Sequence, residues 1–252
     1  MVISLYYDEE RNQMSKTIVI IGTSGAIGSA LLKLYCSDRS NTVFGFSRQK
    51  NTVFKYFNLT EDQIDILNEG SIDSLVKKYF SQIKIDVLII ATGLLHTDKI
   101  LPEKSLRDVS LEKFQAVFAA NTVGPALIFK YFSKLLPNER RGIMAVISAR
   151  VGSISDNQLG GWYSYRASKA ALNMVVKNAS IEVRRKFLQG IVVGLHPGTV
   201  MSNLSKPFQS NIPREKLFSS NYAAAKLKEV VDRLELDDNG KCLDFNGGEI
   251  LP

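Results

Sequence analysis

Tyr165 and Lys169 are the residues whose types and spacing most clearly suggest chemistry in this chain. On a helix, positions i and i+4 share one face, so the phenol and the ammonium would project together. A free phenol has a pKa of about 10, and a nearby positive charge lowers that pKa. The pair therefore suggests a proton donor and acceptor for reducing a carbonyl or oxidising an alcohol. The same spacing also occurs by chance, as a packed phenol and a solvated amine.

Strands and helices are predicted to alternate from residue 16 to about residue 196. Short β-branched runs typical of buried parallel strands occur at 16–21, 41–46, 85–91, 143–148 and 191–195. Apolar residues at three- and four-residue steps predict helices at 29–35, 71–83, 111–132 and 165–187. This alternation predicts an α/β fold, a single-domain Rossmann-type doubly wound parallel sheet with helices on both faces.

A glycine-rich turn, Gly22-Thr-Ser-Gly-Ala-Ile-Gly28, follows the first predicted strand and opens a helix. Glycines let the backbone approach a pyrophosphate, and the helix N-terminus supplies N–H donors and a positive dipole. The turn therefore predicts a dinucleotide site. We assign to it Gly22, Ser24, Ala26, Ile27 and Gly28.

The end of the second predicted strand indicates which dinucleotide is preferred. An acidic residue there would bind the ribose 2′-OH of NAD, but the chain has Ser47-Arg48-Gln49-Lys50. The guanidinium of Arg48 suits a 2′-phosphate, which it can bind in a bidentate fork. This favours NADP over NAD, although an exposed arginine at a strand end looks the same in sequence.

Composition narrows the classes of function. The chain has 252 residues, 45% hydrophobic and 23% charged, as in ordinary globular proteins, and no apolar run reaches the length of a membrane span. Cys36 and Cys242 are far apart and indicate thiols of a reducing cytoplasm, and with two histidines no metal site is expected. The net charge of +7 comes from scattered lysines and arginines, so we predict no nucleic-acid or membrane partner.

Two segments stand apart from the alternating pattern. Residues 1–15 are predicted to be a polar N-terminal extension without signal-peptide features, before a domain spanning 16–252, with Met1 and Met14 both possible starts. Residues 199–222 contain two prolines and the apolar Leu204 and Phe208. Such a segment after a sheet strand often covers a binding cleft, although a plain surface loop has the same composition.

Together these motifs resemble the short-chain dehydrogenase/reductase family from Lys16 to the C-terminus. The resemblance rests on the turn at 22–28, Asn121 in Ala-Asn-Thr-Val-Gly, the Tyr165–Lys169 spacing, and Pro197-Gly198 after the last predicted strand. Residues 148–154, 160–169 and 245–252 are similar to the C-factor and sniffer-type carbonyl reductases.

The resemblance implies a role for each matching residue. Tyr165 would donate a proton to the substrate oxygen, Lys169 would lower its pKa and hold the nicotinamide ribose, and Asn121 would position the lysine through a water. Asn121 could instead cap or kink a helix, and Asp65 could be a turn residue. The implied cofactor contacts are Asp65, Ala91, Gly93, Asn121, Tyr165, Lys169, Pro197, Gly198, Val200 and Ser202.

The resemblance also implies a small-molecule carbonyl or alcohol substrate and a homo-oligomer, a dimer or tetramer. By analogy, Trp162 and residues 94–96 would line the substrate pocket together with 199–222. The expected function is an NADP(H)-dependent oxidoreductase that reduces a carbonyl or oxidises the alcohol.

The chain departs from the family pattern at three places. Ala26 replaces a glycine of the turn, and only Gly93 remains of the usual Asn-Asn-Ala-Gly run. The most serious departure is Ala149, which stands where the family has its catalytic serine. Ser148 is assigned as the nearest substitute, although strand alternation points it to the opposite face; Ser153 or Ser155 could reach in from the loop. The alternative function is a nucleotide-binding, catalytically weak or inactive regulatory member.

Overall fold

The computed structural model of the protein describes residues 15–49 and 55–252. The prediction of a polar extension over residues 1–15 therefore lies, apart from Ser15, outside the described residues. Within the part of the chain that the structure describes, none of the helices combines the length and the apolar character that crossing a bilayer requires.

The strands form a seven-stranded parallel sheet and a separate two-stranded pair. Their bounds are β1 Thr17–Ile21, β2 Thr42–Ser47, β3 Leu59–Gln63, β4 Val87–Ile90, β5 Gly142–Ile147, β6 Gly190–His196, β7 Thr199–Val200, β8 Leu217–Phe218 and β9 Cys242–Asp244. The large sheet has the order β3-β2-β1-β4-β5-β6-β9, and β7 pairs with β8. All of these pairings are parallel.

Six α-helices are found in the described part of the chain, and they cover both faces of the large sheet. Their bounds are α1 Ala26–Ser37, α2 Glu69–Tyr79, α3 Leu111–Phe118, α4 Gly124–Phe132, α5 Tyr163–Lys186 and α6 Ser220–Arg233. Alternate residues of β1 pack on opposite sides, as the pleat requires. Ile18 and Ile20 belong to the apolar cluster that includes α1 and α6, whereas Val19 and Ile21 belong to the cluster that includes α2, α4 and α5. The predicted doubly wound α/β class is confirmed.

The observed elements differ from the predicted ones where the sequence pattern is weak. The edge strand β3 has the polar sequence Leu-Thr-Glu-Asp-Gln and lies only half buried, so it carries no apolar run to detect. The prediction also did not include α6 or β9. The predicted helix over 111–132 is interrupted by a π-helical turn, Ala119–Val123, which separates α3 from α4.

The sheet order fixes where a ligand can bind. The chain winds outward in both directions from β1, which lies between β2 and β4. Doubly wound sheets bind ligands at this switch point, outside the carboxyl ends of the strands. The glycine turn follows β1 directly, and Ala91 after β4 donates its N–H to Ile21 O at 2.7 Å.

Candidate active site

Two glycines of the turn occupy positions where a side chain would collide with the backbone. Gly22 has φ +97°, and a Cβ there would lie 2.7 Å from Ala91 O. A Cβ on Gly28 would overlap the carbonyl oxygen of Gly22. The turn is therefore held against the loop after β4 by close backbone contact that only glycine permits.

The N-terminus of α1 faces the same edge of the sheet. Gly25 is its N-cap and provides no side-chain acceptor, so the first N–H groups of the helix are left for a ligand. Ser24 is exposed, and Ala26 and Ile27 are half buried in the first turn. The hydroxyls of Thr23 and Thr92 are buried and have no partner among the described residues. This open cradle fits a dinucleotide phosphate.

Replacing Gly28 with alanine is expected to destabilise the fold by about 1–3 kcal/mol, because overpacking displaces the backbone of the turn. NADPH binding should weaken at the same time, since Gly22 must move. Thermal unfolding and calorimetry measure the two effects. Gly25→Ala is the matched control: its Cβ would meet nothing closer than 3.4 Å. Equal effects of the two substitutions would contradict the close-contact explanation.

Tyr165 and Lys169 lie on the buried face of α5. Tyr165 is 8% exposed and Lys169 is 2% exposed. Lys169 Nζ donates to Ile147 O at 2.8 Å and lies 5.9 Å from the centroid of the Tyr165 ring. The helix thus places the two groups side by side, as the spacing predicted, but the ammonium is bonded to the end of β5.

The pKa values of this pair differ from the expectation. Burial raises the pKa of Tyr165 to about 12, and burial lowers the pKa of Lys169 to about 8. The expectation that Lys169 depresses the pKa of Tyr165 is wrong for this structure. Desolvation disfavours the charged form of both groups, and the ammonium bonds the Ile147 carbonyl rather than the phenol oxygen.

Asn121 lies at the centre of the π-helical turn and is completely buried. Its Oδ1 accepts from Leu94 N at 2.7 Å, and its Nδ2 donates to Leu94 O at 2.8 Å and to Ser168 Oγ at 3.1 Å. A π-helical turn inside an α-helix frequently marks a functional site. Here it lets one amide join the loop after β4 to α5.

Gly93 marks the place where these groups converge. A Cβ built on it would lie 3.7 Å from Asn121 Oδ1, 3.8 Å from Leu204 Cδ1 and 3.9 Å from Lys169 Nζ. The structure therefore brings Gly93, Asn121 and Lys169 together at the carboxyl edge of β4, beside the glycine turn.

Ser148 does not join this group. Its N–H continues the sheet ladder to Leu195 O at 2.8 Å, and its hydroxyl donates to Asn173 Oδ1 at 2.7 Å. Ala149 instead packs in the apolar cluster around Tyr165. The alternation of strand side chains thus holds at the end of β5, and the assigned substitute hydroxyl is turned away from that cluster.

The two loop serines are also engaged elsewhere. Ser153 Oγ accepts from Asp156 N at 3.1 Å, and Ser155 Oγ donates to Pro252 O at 2.7 Å. These bonds hold the loop after β5 to itself and to the C-terminal segment. A hydroxyl facing Tyr165 is therefore not supplied by Ser148, Ser153 or Ser155 in this structure.

An apolar wall surrounds the Tyr165 phenol. Trp162 lies edge-on to Tyr165, with ring centroids 6.1 Å apart, and contacts Phe208 at 4.9 Å. Leu204 and Phe208 belong to the segment 199–222 predicted to cover the cleft. The other side chains that pack in this cluster are Leu94, Leu95, Ile100, Val117, Ala149 and Val151. Such a wall suits an uncharged, largely apolar substrate.

The remaining assigned cofactor residues lie near the same edge of the sheet. Arg48 and Asp65 are both exposed and follow β2 and β3. Asp65 Oδ1 accepts from Leu67 N at 2.9 Å, so it also shapes a local turn. Gly198, which follows Pro197 after β6, has φ +74°.

Beyond Gly198 the chain enters β7 and the cleft segment. Val200 is buried in β7, and Ser202 Oγ accepts from Ser205 N at 3.3 Å. The hydrogen bonds of Ser202 are thus made within its own loop.

Sequence reasoning missed Glu103 beside this site, and it assigned Trp162 to the pocket without foreseeing its backbone conformation. Glu103 is completely buried next to the start of α5, and Trp162 adopts a left-handed backbone conformation there. The pair Gly160-Gly161 before Trp162 was the available signal for an unusual turn, whereas nothing in the sequence marked Glu103.

Comparison with known proteins agrees with this geometry. The family model for short chain dehydrogenase matches residues 16–213. The chain belongs to this family. The protein is therefore a short-chain dehydrogenase/reductase-type oxidoreductase. The resemblance that the sequence motifs indicated is confirmed.

Two curated relatives in the family have different names. A 1-hydroxy-2-glutathionyl-2-methyl-3-butene dehydrogenase of Rhodococcus sp. (strain AD45) is 26% identical over 92% of this chain and 97% of its own length. The C-signal protein of Myxococcus xanthus is 32% identical over 58% of this chain and 82% of its own length.

Solved structures share the fold. The carbonyl reductase Sniffer of D. melanogaster superposes with a TM-score of 0.82 at 21% identity, over 94% of this chain and all (100%) of its own. A carbonyl reductase from chicken fatty liver with NADPH bound superposes with a TM-score of 0.79 at 20% identity. This superposition covers 95% of this chain and 100% of the reductase.

Proposed function

We propose that the protein is an NADP(H)-dependent carbonyl reductase in which Tyr165 donates the proton to the substrate oxygen. The observation that carries this proposal is the convergence of Lys169 and Asn121 on Gly93, beside the glycine turn and the Tyr165 phenol. When bound, the nicotinamide supplies the hydride.

The residues of the chain provide the proton side of the reaction. The Tyr165 phenol is protonated at neutral pH and carries the proton that the substrate oxygen needs; burial raises its pKa to about 12, which makes it a weaker acid than a free phenol. Burial lowers the pKa of Lys169 to about 8, so its ammonium is a stronger acid than the phenol and is the nearby proton source from which the phenolate would be reprotonated once the ammonium leaves the Ile147 carbonyl. Asn121 holds the loop and helix that frame the site. The apolar wall with Trp162 and Phe208 excludes water.

The direct test is to mix the protein with NADPH and a panel of aldehydes, ketones and quinones and to follow the cofactor absorbance. We expect slow but saturable NADPH consumption with apolar carbonyls, because Ala149 provides no hydrogen bond to the developing oxyanion. Absence of consumption with every member of the panel would contradict the proposal. The same measurement with NADP and the corresponding alcohols tests the reverse direction.

Arg48→Ala is expected to weaken NADPH binding about tenfold to a hundredfold while leaving NADH binding unchanged. A hydrogen bond to a charged group contributes about 1.5–3 kcal/mol, and 1.4 kcal/mol corresponds to a factor of about ten. The exposed position of Arg48 at the end of β2 supports this role. Calorimetric titration with both cofactors measures the change, with the exposed neighbour Gln49→Ala as control. Equal losses for NADPH and NADH would refute a 2′-phosphate contact.

A second candidate function is a nucleotide-binding regulatory protein with little or no chemistry. Ala149 favours it, and one relative in the family is named C-signal. Tight NADPH binding in calorimetry without turnover on any carbonyl would support this candidate over the first.

A further inference from the structure

Glu103 is a glutamate with 0% exposure in the loop between β4 and α3. Glutamate is almost never fully buried unless it is paired. Across residues 15–49 and 55–252 no lysine, arginine or histidine forms an ion pair with it, and its Oε1 has no hydrogen-bond partner. Burying a carboxylate without a counter-charge is strongly unfavourable, so a specific interaction is expected to hold Glu103 there.

The second carboxylate oxygen of Glu103 has a hydrogen-bond partner at the start of α5. Glu103 Oε2 accepts from Ser164 N at 3.2 Å, 61 residues along the chain. Ser164 is the second residue of α5, the helix that carries Tyr165 and Lys169. The N-cap of this helix is Trp162, whose indole has no acceptor and makes no cap hydrogen bond. The carboxylate therefore does for α5 what a capping side chain usually does, and its charge suits the positive end of the helix.

The backbone of the same residue holds the turn that leads into α5. Gly160, Gly161 and Trp162 have φ of +63°, +65° and +50°, three left-handed residues in succession. Trp162 is the one residue other than glycine with positive φ in the described ranges. This conformation is strained for a bulky side chain and persists only where the surroundings enforce it. Trp162 N donates to Glu103 O at 2.5 Å, and this hydrogen bond helps to hold Trp162 in the left-handed conformation.

We infer that Glu103 is a positioning residue for the reaction. Its carboxylate and its carbonyl together fix the start of α5, so that Trp162 forms the wall of the site and the Tyr165 phenol stands against it. The catalytic part of this inference rests on the proposed reductase function; the structural part does not.

The chain offers a direct probe because Trp162 is its single tryptophan. Intrinsic tryptophan emission therefore reports on this turn without any cofactor or substrate. Glu103→Leu removes both carboxylate oxygens at similar size, and we expect red-shifted emission and stronger quenching by acrylamide. Glu103→Gln keeps an acceptor for Ser164 N and should retain the wild-type emission. Glu139→Leu, a change at an exposed glutamate, is the matched control.

Comparing kcat with the KM for NADPH distinguishes misplaced catalytic groups from a general loss of folded protein. With NADPH and an active carbonyl, Glu103→Leu should lower kcat about tenfold or more with the KM for NADPH unchanged, because a displacement of about 1 Å can cost on the order of a hundredfold. Glu103→Gln should restore most of the rate. If the wild type shows no reductase activity, the proposed function fails while the emission measurement still decides the placement of Trp162.

Two results would overturn the inference. One is wild-type emission and quenching in Glu103→Leu; the other is a Glu103→Gln variant that behaves like Glu103→Leu. Should Glu103→Leu fail to fold by circular dichroism, Glu103→Asp takes its place. Its carboxylate is one methylene too short to reach Ser164 N, so unchanged emission in that variant would equally refute the role.

Discussion

Replacing Tyr165 with phenylalanine is expected to lower kcat for NADPH-dependent carbonyl reduction at least about a hundredfold. General acid catalysis by a positioned side chain typically contributes about 10²–10⁴-fold, and phenylalanine has no proton to give. The affinity for NADPH should fall much less than kcat, because of the implied cofactor contacts only the Tyr165 hydroxyl is lost while Lys169, Gly93 and the glycine turn are untouched. The decrease in NADPH absorbance under saturating substrate measures kcat, and calorimetric titration of the same preparation measures the affinity for NADPH.

Tyr165→Phe removes the phenol oxygen with little expected effect on packing or stability. The ring packs against Trp162 and the rest of the apolar wall, and phenylalanine keeps those contacts. Burial is the sole cause of the raised pKa of Tyr165, with no hydrogen bond from a described residue contributing, so removal of the phenol oxygen leaves no partner group unpaired. We therefore expect the free energy of unfolding to change by no more than about 0.5 kcal/mol.

Tyr163→Phe is the matched control for this experiment. It makes the same chemical change two residues earlier, at the first residue of α5. Turnover should be retained in Tyr163→Phe and lost in Tyr165→Phe. If both variants keep wild-type turnover, Tyr165 is not the proton donor, and the observed NADPH consumption needs another acid.

The fold could be predicted wherever the physics left a strong pattern. The apolar run of β1 has helices on both sides of it, so it appears in the sequence as a nearly continuous β-branched segment. The edge strand β3 has a polar sequence because only part of it is buried, and it was missed for that reason. The π-helical turn at Ala119–Val123 was invisible because the apolar spacing of 111–132 continues through it.

Sequence predicted that Tyr165 and Lys169 lie side by side on one helix, but it did not predict the electrostatics of the candidate site. The spacing of Tyr165 and Lys169 identified two neighbours on one helix face, and strand alternation gave the orientation of Ser148. The pKa direction of Tyr165 was wrong because sequence shows the charge of Lys169 but not the burial of both groups or the carbonyl that the ammonium meets. Glu103 was missed because its partner lies 61 residues away.

Ala149→Ser is expected to raise kcat about tenfold to a hundredfold. Removal of one oxyanion donor costs about 10²–10³-fold in enzymes that use one, so supplying the donor should recover part of that factor. Ala149 already packs in the cluster around Tyr165, and the added hydroxyl starts from the same Cβ. The variant should also be about 1 kcal/mol less stable without substrate, because a hydroxyl enters an apolar wall. Steady-state kinetics and thermal unfolding measure both changes.

The size of the added atom must be separated from its hydrogen bond. Ala149→Cys fills the same position with a larger atom whose S–H is only a weak donor, so it should show little of the gain. Ser148→Ala, which removes the bond to Asn173, should leave the gain of Ala149→Ser intact when the two are combined. The decisive result is a kcat that rises in Ala149→Ser but not in Ala149→Cys, and that falls again when Tyr165→Phe is added. It would mean that Tyr165 on α5 is a working acid and that the wild-type site lacks only the hydroxyl that binds the oxyanion. If serine has no effect while NADPH still binds tightly, the missing hydroxyl is not the obstacle, and the regulatory function becomes the better explanation of Ala149.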